Sequence, residues 1–382
     1  MINVFQPSLG QEELDALAEV FDSNWLGRGP KTQAFEAEFA AHLGVPATNV
    51  LFINNATAGL FLAAELLELG PGDDVVLPSV SFVAAANAIA ATGARPVFCD
   101  VAQRTLNPTV ADVERALTPR TKAVLALHFG GAPGEIGRLA ELCRERNVVL
   151  VEDAACAVAS RADGRACGTF GDIGVWSFDA MKTLVTGDGG MLYVRDDALM
   201  AAARRLAYHG MGQASGFSSA RASARWWELD VQGFGRRIIG NDLTAALGSV
   251  QLRRLPQFIE ARRRTAELYD RLLSGVEGVT LPPRQPAGHL SSHYFYWVQL
   301  DPDIRDQVAA DLLAAGIYTT FRYPPLHKVA AYGASTDLPA TDLAAEVTLL
   351  LPLHQGLSSE DVRKVADELR KSVENRRPAT GG

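Results

Sequence analysis

The chain has 382 residues, with 44 acidic against 36 basic side chains and a formal net charge of −8. That balance argues against nucleic acid or an anionic membrane surface as the main partner, and no apolar stretch approaches membrane-spanning length. Four cysteines, at 99, 143, 156 and 167, are too few for a disulfide framework and lack paired metal spacing.

The opening MINVFQPSLGQEE lacks the basic segment and apolar core of a signal peptide. With the unpaired cysteines this points to a reduced, cytoplasmic protein, of a length that suits two domains sharing a cleft. From about residue 49 to 152, short apolar runs alternate with helical patterns. Runs at 50–53, 75–77, 96–98, 123–127 and 148–151 read as strands, and stretches such as 57–69 and 135–146 as helices. This alternation predicts an α/β fold with a largely parallel sheet covered on both faces. Burial on both faces is why the strands are continuously apolar. A further apolar run spans 173–178, and residues 212–225, poor in bulky apolar side chains, read as a loop. The stretch 243–267 reads as helix interrupted at Pro256, leading into a smaller domain. There a strand is expected at 294–300, a helix at 305–315 and a closing helix at 359–373. Ser358 or Ser359 suits its N-cap, and Glu360 and Asp361 its first turn. The polar, Pro- and Gly-rich end from about residue 374 is expected to be disordered. The domain division is 1–250, 251–375 and a tail at 376–382.

The chemistry concentrates between Val151 and Gly190. Glu152 and Asp153 end an apolar run that reads as a buried parallel strand, and ligands of open α/β sheets sit at the carboxyl ends of such strands. Lys182 follows Ser177-Phe178 and precedes a Thr-Gly-Asp-Gly-Gly turn. A carboxylate, a hydroxyl and an amine in this setting suit pyridoxal phosphate (PLP): one for the ring nitrogen, one for the phosphate, one for the Schiff base. A carboxylate about 4 Å from the ring nitrogen contributes roughly 4 kcal/mol at an effective dielectric of about 20. That is about three pKa units in favour of the protonated ring. A lysine behind an apolar run is partly desolvated, which lowers its pKa and makes the amine nucleophilic. Taken singly, Asp153 reads as a cap or loop residue and Lys182 as a solvated surface group; their combination carries the reading.

Other segments join this block in order. They are Trp25-Leu-Gly-Arg-Gly29, Phe35-Glu-Ala-Glu-Phe-Ala40, Asn55-Ala-Thr-Ala-Gly-Leu60 and Gly70-Pro-Gly-Asp-Asp-Val-Val-Leu-Pro78 with Ser81-Phe82. Gly316-Ile317, Tyr323-Pro-Pro-Leu-His327 and Leu351-Pro-Leu353 follow. In these motifs, over about residues 14–369, the chain resembles the DegT/StrS-type sugar aminotransferases, PLP enzymes of the aspartate aminotransferase superfamily. The resemblance implies fold type I: a three-layer α/β/α large domain around a mostly parallel seven-stranded sheet, plus a smaller α+β C-terminal domain. It implies that Lys182 carries the cofactor and shuttles the proton, that Asp153 pairs with the ring nitrogen and that Phe82 stacks on the ring. Backbone amides of Thr57 and Ala58, with the Thr57 hydroxyl, would hold the phosphate at a helix N-terminus, and Ser177 would add a hydroxyl. It further implies a homodimer with shared active sites. The implied substrate is a keto sugar nucleotide, a dTDP- or UDP-linked 4-keto-6-deoxyhexose or its 3-keto isomer, aminated by glutamate or glutamine.

Three positions depart from the pattern. Ala56 stands where a glycine is common, which is tolerable if the residue does not need positive φ. Cys156 stands where the family places Gln or His near the cofactor's ring oxygen, and reads as a small buried filler and not a nucleophile. Arg237 stands where the family supplies an Asn from the partner subunit to the phosphate; Asn241 is the competing candidate. A keto-inositol or aminocyclitol aminotransferase is the alternative substrate reading. A sugar 3-dehydratase is disfavoured because such enzymes carry His in place of the lysine. A non-catalytic protein on the same scaffold is disfavoured by Asp153, Ser177 and Lys182 together. Arg28, Lys31, Arg236 and Arg322 all remain open as partners for substrate anions. His327 lines the cleft or is structural, His209 carries little by itself, and Trp226-Trp227 packs in the core or against a substrate or subunit.

Overall fold

The structure, a computed structural model, describes residues 1–212, 228–333 and 336–376. The expected loop from 213 onward, Trp226-Trp227 and the tail beyond Arg376 lie outside the described residues. Seven strands build the central sheet: β1 Val50–Ile53, β2 Asp74–Pro78, β3 Arg95–Cys99, β4 Thr121–Leu127, β5 Val149–Asp153, β6 Ile173–Ser177 and β7 Gly190–Val194. Their spatial order is β1-β7-β6-β5-β4-β2-β3. β2 pairs in parallel with β3 and β4, β4 with β5, and β5 with β6. β7 alone runs against its neighbours β6 and β1.

Side chains alternate across this sheet, as the pleat requires. Leu51 and Ile53 face one core, with Leu60, Leu62 and Ala63 of helix α3. Val50 and Phe52 face the other, with Phe35 and Phe39 of α2. The helices, in chain order, are α1 Gln11–Asp22, α2 Pro30–Leu43, α3 Ala56–Leu66, α4 Val83–Ala90, α5 Val110–Ala116, α6 Ile136–Glu145 and α7 Asp197–Leu206. The layers are therefore helix, sheet, helix. Phe35, Phe39, Phe52, Trp176 and Phe178 form a fully buried aromatic cluster, with Phe35 and Phe52 edge to face at 5.0 Å. Such ring pairs add about 0.5–1.5 kcal/mol each beyond burial. The cluster anchors the chain just before Lys182.

Helix α8, Asp242–Leu273, runs unbroken for 32 residues, so the expected interruption at Pro256 does not occur. Pro256 lies on the exposed face, where water can satisfy the carbonyl left without an N–H partner. The first half of α8 (Ala245, Leu255) packs in the aromatic core, and the second half (Ala266, Tyr269, Leu273) in the small-domain core. The Asp242 side chain accepts from the Gly29 and Thr32 amides at 2.8 and 2.9 Å, tying the start of α8 to the start of α2. The small domain adds α9 Pro302–Ala314, α10 Pro339–Val347 and α11 Ser359–Arg376 around the antiparallel pair β8 Tyr296–Gln299 and β9 Thr348–Leu351. Residue 2 returns to this domain, its amide bonding Gly316 O at 2.8 Å. Ser358 caps α11, its hydroxyl accepting from the Asp361 amide. Disorder expected from residue 374 gives way to helix as far as Arg376, whose guanidinium makes two 2.7 Å bonds to Asp311. Among the described residues no helix is long and apolar enough to cross a membrane.

Candidate active site

The carboxyl ends of β2, β4, β5 and β6 open on one edge of the sheet, and the candidate residues gather there. Asp153 ends β5, registered between Leu127 of β4 and Val175 of β6. The acidic pair divides between opposite faces of the strand. Glu152, fully buried, accepts from the Gly168 and Gly171 amides and pairs with His128 Nε2 at 2.9 Å, which makes it a clamp within the fold. Asp153 is 3% exposed, and among the described residues its carboxylate accepts one hydrogen bond, from the Ala155 amide at 3.0 Å. Burial lifts its carboxyl above the ordinary range, against the opposing pull of that amide, Lys182 and His128.

Lys182 sits in the turn between β6 and β7. The buried Phe178 ring fixes that turn, whose backbone closes through Phe178 N to Gly189 O and Thr186 N to Phe178 O, both 2.9 Å. The residue is half-buried, with its amine 4.7 Å above the centre of the Tyr294 ring. Burial pushes the amine's pKa down, as expected. Tyr294, Cys156, Tyr323 and Asp153 outweigh it, and the ammonium is held well above its ordinary value. Of these four, Asp153 supplies the formal negative charge. The lowered pKa expected of a desolvated lysine is therefore reversed, because the neighbours of the amine hold its proton more strongly than burial expels it.

The opposite end of the site is made by the start of α3. Ser177 registers against Gly190, and a Cβ at Gly190 would lie 2.8 Å from Ala56 N. Glycine thus lets Ser177 and the α3 N-terminus come together. Ala56 keeps a negative φ, so it stands there without strain. The Ala58 amide donates to the Asn55 cap at 2.8 Å, while the Thr57 amide belongs to the first turn, where no intrahelical acceptor exists. An anion at this end meets the Thr57 amide and hydroxyl directly, and the Ala58 amide only in exchange for its cap.

Phe82, just ahead of α4, is 48% exposed and lies 5.5 Å from the Tyr323 ring. Cys156 is buried among Tyr294, Phe295 and Tyr323. Burial pushes its thiol up to about 11, with Lys182 opposing. Arg237 is exposed, its guanidinium 6.0 Å over the Tyr208 ring, and Asn241 caps α8 by accepting from the Thr244 amide at 3.0 Å. Neither is brought against Lys182 or Asp153 within one chain. His327 is structural: its ring meets Ser79 Oγ at 2.7 Å and Asp342 at 3.3 Å, fastening the small domain to the end of β2. Tyr294, Tyr323 and His128 escape a sequence search for site residues. His128 had a usable signal, since it follows an apolar strand as Asp153 does.

The donor set fits a flat, cationic heteroaromatic ring with an anionic arm. A buried carboxylate with one hydrogen bond would meet the ring nitrogen, an exposed aromatic face the ring, and a helix start with two nearby hydroxyls the arm.

The model of the DegT/DnrJ/EryC1/StrS aminotransferase family matches residues 7–370. A dTDP-4-dehydro-2,3,6-trideoxy-D-glucose 4-aminotransferase of Saccharopolyspora spinosa is 65% identical over 375 residues, covering 98% of this chain and 97% of that protein. The aminotransferase TlmJ from Streptoalloteichus hindustanus superposes with a TM-score of 0.94 at 60% identity, over 98% of this chain and 99% of that one. The sugar aminotransferase CalS13 from Micromonospora echinospora superposes with a TM-score of 0.88 at 28% identity, over 97% of this chain and 100% of that one.

Proposed function

The chain belongs to the DegT/DnrJ/EryC1/StrS aminotransferase family, and on that basis we propose that it moves an amino group from glutamate or glutamine to the C4 keto group of a dTDP-linked 6-deoxyhexose, with PLP as cofactor. The observation that carries this reading is the convergence of Asp153 and Lys182 on one edge of the sheet, with an aromatic floor between two domains. The choice of C4 and of dTDP rests on the relative from Saccharopolyspora spinosa, a dTDP-sugar 4-aminotransferase.

PLP supplies a reactive carbonyl and a ring that accepts the electron pair left when a proton departs from carbon. The chain supplies the rest. Asp153 would keep the ring nitrogen protonated. The Lys182 amine would take the proton from the donor's Cα and deliver it to the cofactor's C4′, and Tyr294 would hold that amine in place. The Phe82 face would orient the ring. Thr57 and Ser177 would bind the phosphate, whose charge the α3 dipole favours. Because donor and sugar use one site in turn, ping-pong kinetics are expected.

A homodimer with shared sites completes the reading. Phe234 is wholly exposed, with Leu229 and Val231 exposed beside it, apolar surface that a second copy would cover. Arg237 lies three residues further on, where a partner's phosphate site could receive it. Mixing inactive Lys182→Ala and Arg237→Ala subunits should restore some activity; verified mixed dimers without any would count against sharing. The substrate is tested by mass-spectrometric product analysis with glutamate and a panel of keto sugar nucleotides and keto-inositols. Amination of a keto-inositol in preference to every nucleotide sugar would overturn the proposal.

A further inference from the structure

We propose that Arg322 binds the α-carboxylate of the amino donor. The inference rests on the aminotransferase reading above and adds the residue that selects the donor. Four cations are open from sequence, and three are committed within the fold. Arg28 holds Glu36 with two bonds of 2.8 Å, and Glu36 in turn accepts the Phe52 amide. Lys31 pairs with Glu19, and Arg236 with Glu65.

Arg322 differs. Among the described residues no carboxylate lies within ion-pair distance of it. Its guanidinium rests 4.9 Å over the Phe5 ring, with Nη2 3.7 Å from the sulfur of Met181, the residue before Lys182. Phe5 stacks on Tyr294 at 5.6 Å and 20°, and the other cation on that aromatic floor is the Lys182 amine itself. Tyr323, next along the chain, touches Phe82. A ring face and a thioether position the guanidinium but leave its N–H fork uncommitted, and that fork matches a carboxylate in a bidentate manner.

The position favours a carboxylate over the diphosphate of a nucleotide sugar. In an α-amino acid the carboxylate is attached to the very carbon that bears the reacting nitrogen, so it must come to rest near Lys182. The diphosphate is separated from a C4 carbonyl by the breadth of the hexose ring. Arg322 contacts the residue adjoining Lys182, which is the near position.

The test uses holoenzyme carrying Arg322→Gln or Arg322→Lys. Glutarate, an unreactive dicarboxylate, is titrated calorimetrically, and the two half-reactions are followed separately by absorbance. Loss of a charged hydrogen-bonded pair predicts glutarate binding about 10- to 100-fold weaker in Arg322→Gln. Arg322→Lys, which keeps the charge over Phe5, should recover part of it. The glutamate concentration for half-maximal rate should rise by a similar factor, while the sugar-nucleotide half-reaction stays within about threefold. Unchanged glutarate and glutamate dependence would overturn the assignment, as would a defect confined to the sugar-nucleotide half. Failure of the parent enzyme to react with any amino acid would instead overturn the aminotransferase reading beneath it.

Discussion

Replacing Asp153 by asparagine keeps the side chain's shape and removes its charge. At 3% exposure the carboxylate is hardly screened by solvent ions. Its pull on a protonated ring nitrogen is then that of a pair at an effective dielectric near 20, roughly 4 kcal/mol at about 4 Å. Felt fully in the transition state, this is about a thousandfold in rate. The same burial raises the carboxyl's pKa in the folded protein. A raised carboxyl pKa means stability that is fully present below the unfolded value and is lost as pH rises through the folded one. At neutral pH the ionised group therefore opposes folding, and asparagine removes that opposition. Asp153→Asn should lower kcat/KM about a thousandfold, while the cofactor-free protein melts at the same temperature or higher and with a flatter pH dependence. Steady-state kinetics and thermal melts from pH 4 to 8 measure both. Activity within tenfold of the parent, or a melting point several degrees lower, would refute the reasoning.

Borohydride reduction and peptide mapping should place the pyridoxyl label on Lys182, and Lys182→Ala should abolish turnover. Cys156→Ser should keep activity within about tenfold, or about 1.4 kcal/mol of barrier; with its thiol pushed up to about 11, Cys156 should also resist alkylation at neutral pH in the folded enzyme. Asp74, 1% exposed and forked to Arg95 by two 2.8 Å bonds, has its pKa held down from 3.8 to about 2. A depressed carboxyl stabilises above its unfolded pKa and loses that contribution as pH falls through the folded one, so Asp74→Asn should cost about 2 kcal/mol at pH 7 in denaturant titrations and little at pH 2.

The residues proposed to bind the cofactor's reactive end are legible because each breaks a pattern. Asp153 ends an apolar strand, and Lys182 stands alone between a buried aromatic and a glycine turn. Tyr294 and Tyr323 break no pattern: they are aromatic residues in apolar stretches, indistinguishable from core filling until distant segments are brought together. Pro256 misleads because the rule against proline within helices assumes that the freed carbonyl is buried, and here that face meets water. The capped Ala58 amide shows a different limit. Asn55 as an N-cap is readable from sequence, but which amide it takes depends on geometry. The direction of the Lys182 pKa was out of reach for the same reason, since burial is foreseeable from an apolar run and the identity of its neighbours is not.

Helix α8 has a consequence for how this enzyme moves. Lys182 and Asp153 stand on the large-domain sheet, Tyr294 and Tyr323 come from the later part of the chain and pack with Leu127 and Cys156 above it, and a single rod of 32 residues, about 48 Å long, is rooted in both the aromatic core and the small-domain core. Its first turn is bolted to α2 through Asp242, and its last turns bury Tyr269 and Leu273 against Val298, Leu351 and Leu369 of the small domain. Such a strut resists sliding or twisting of one half of the cleft against the other. The weak point of the strut is the turn before Pro256, where one backbone bond is missing. Opening of the cleft to admit a bulky nucleotide would be concentrated there, as a bend like that of a bow, and stiffening this turn with Pro256→Ala should slow sugar-nucleotide exchange more than it slows the small amino donor.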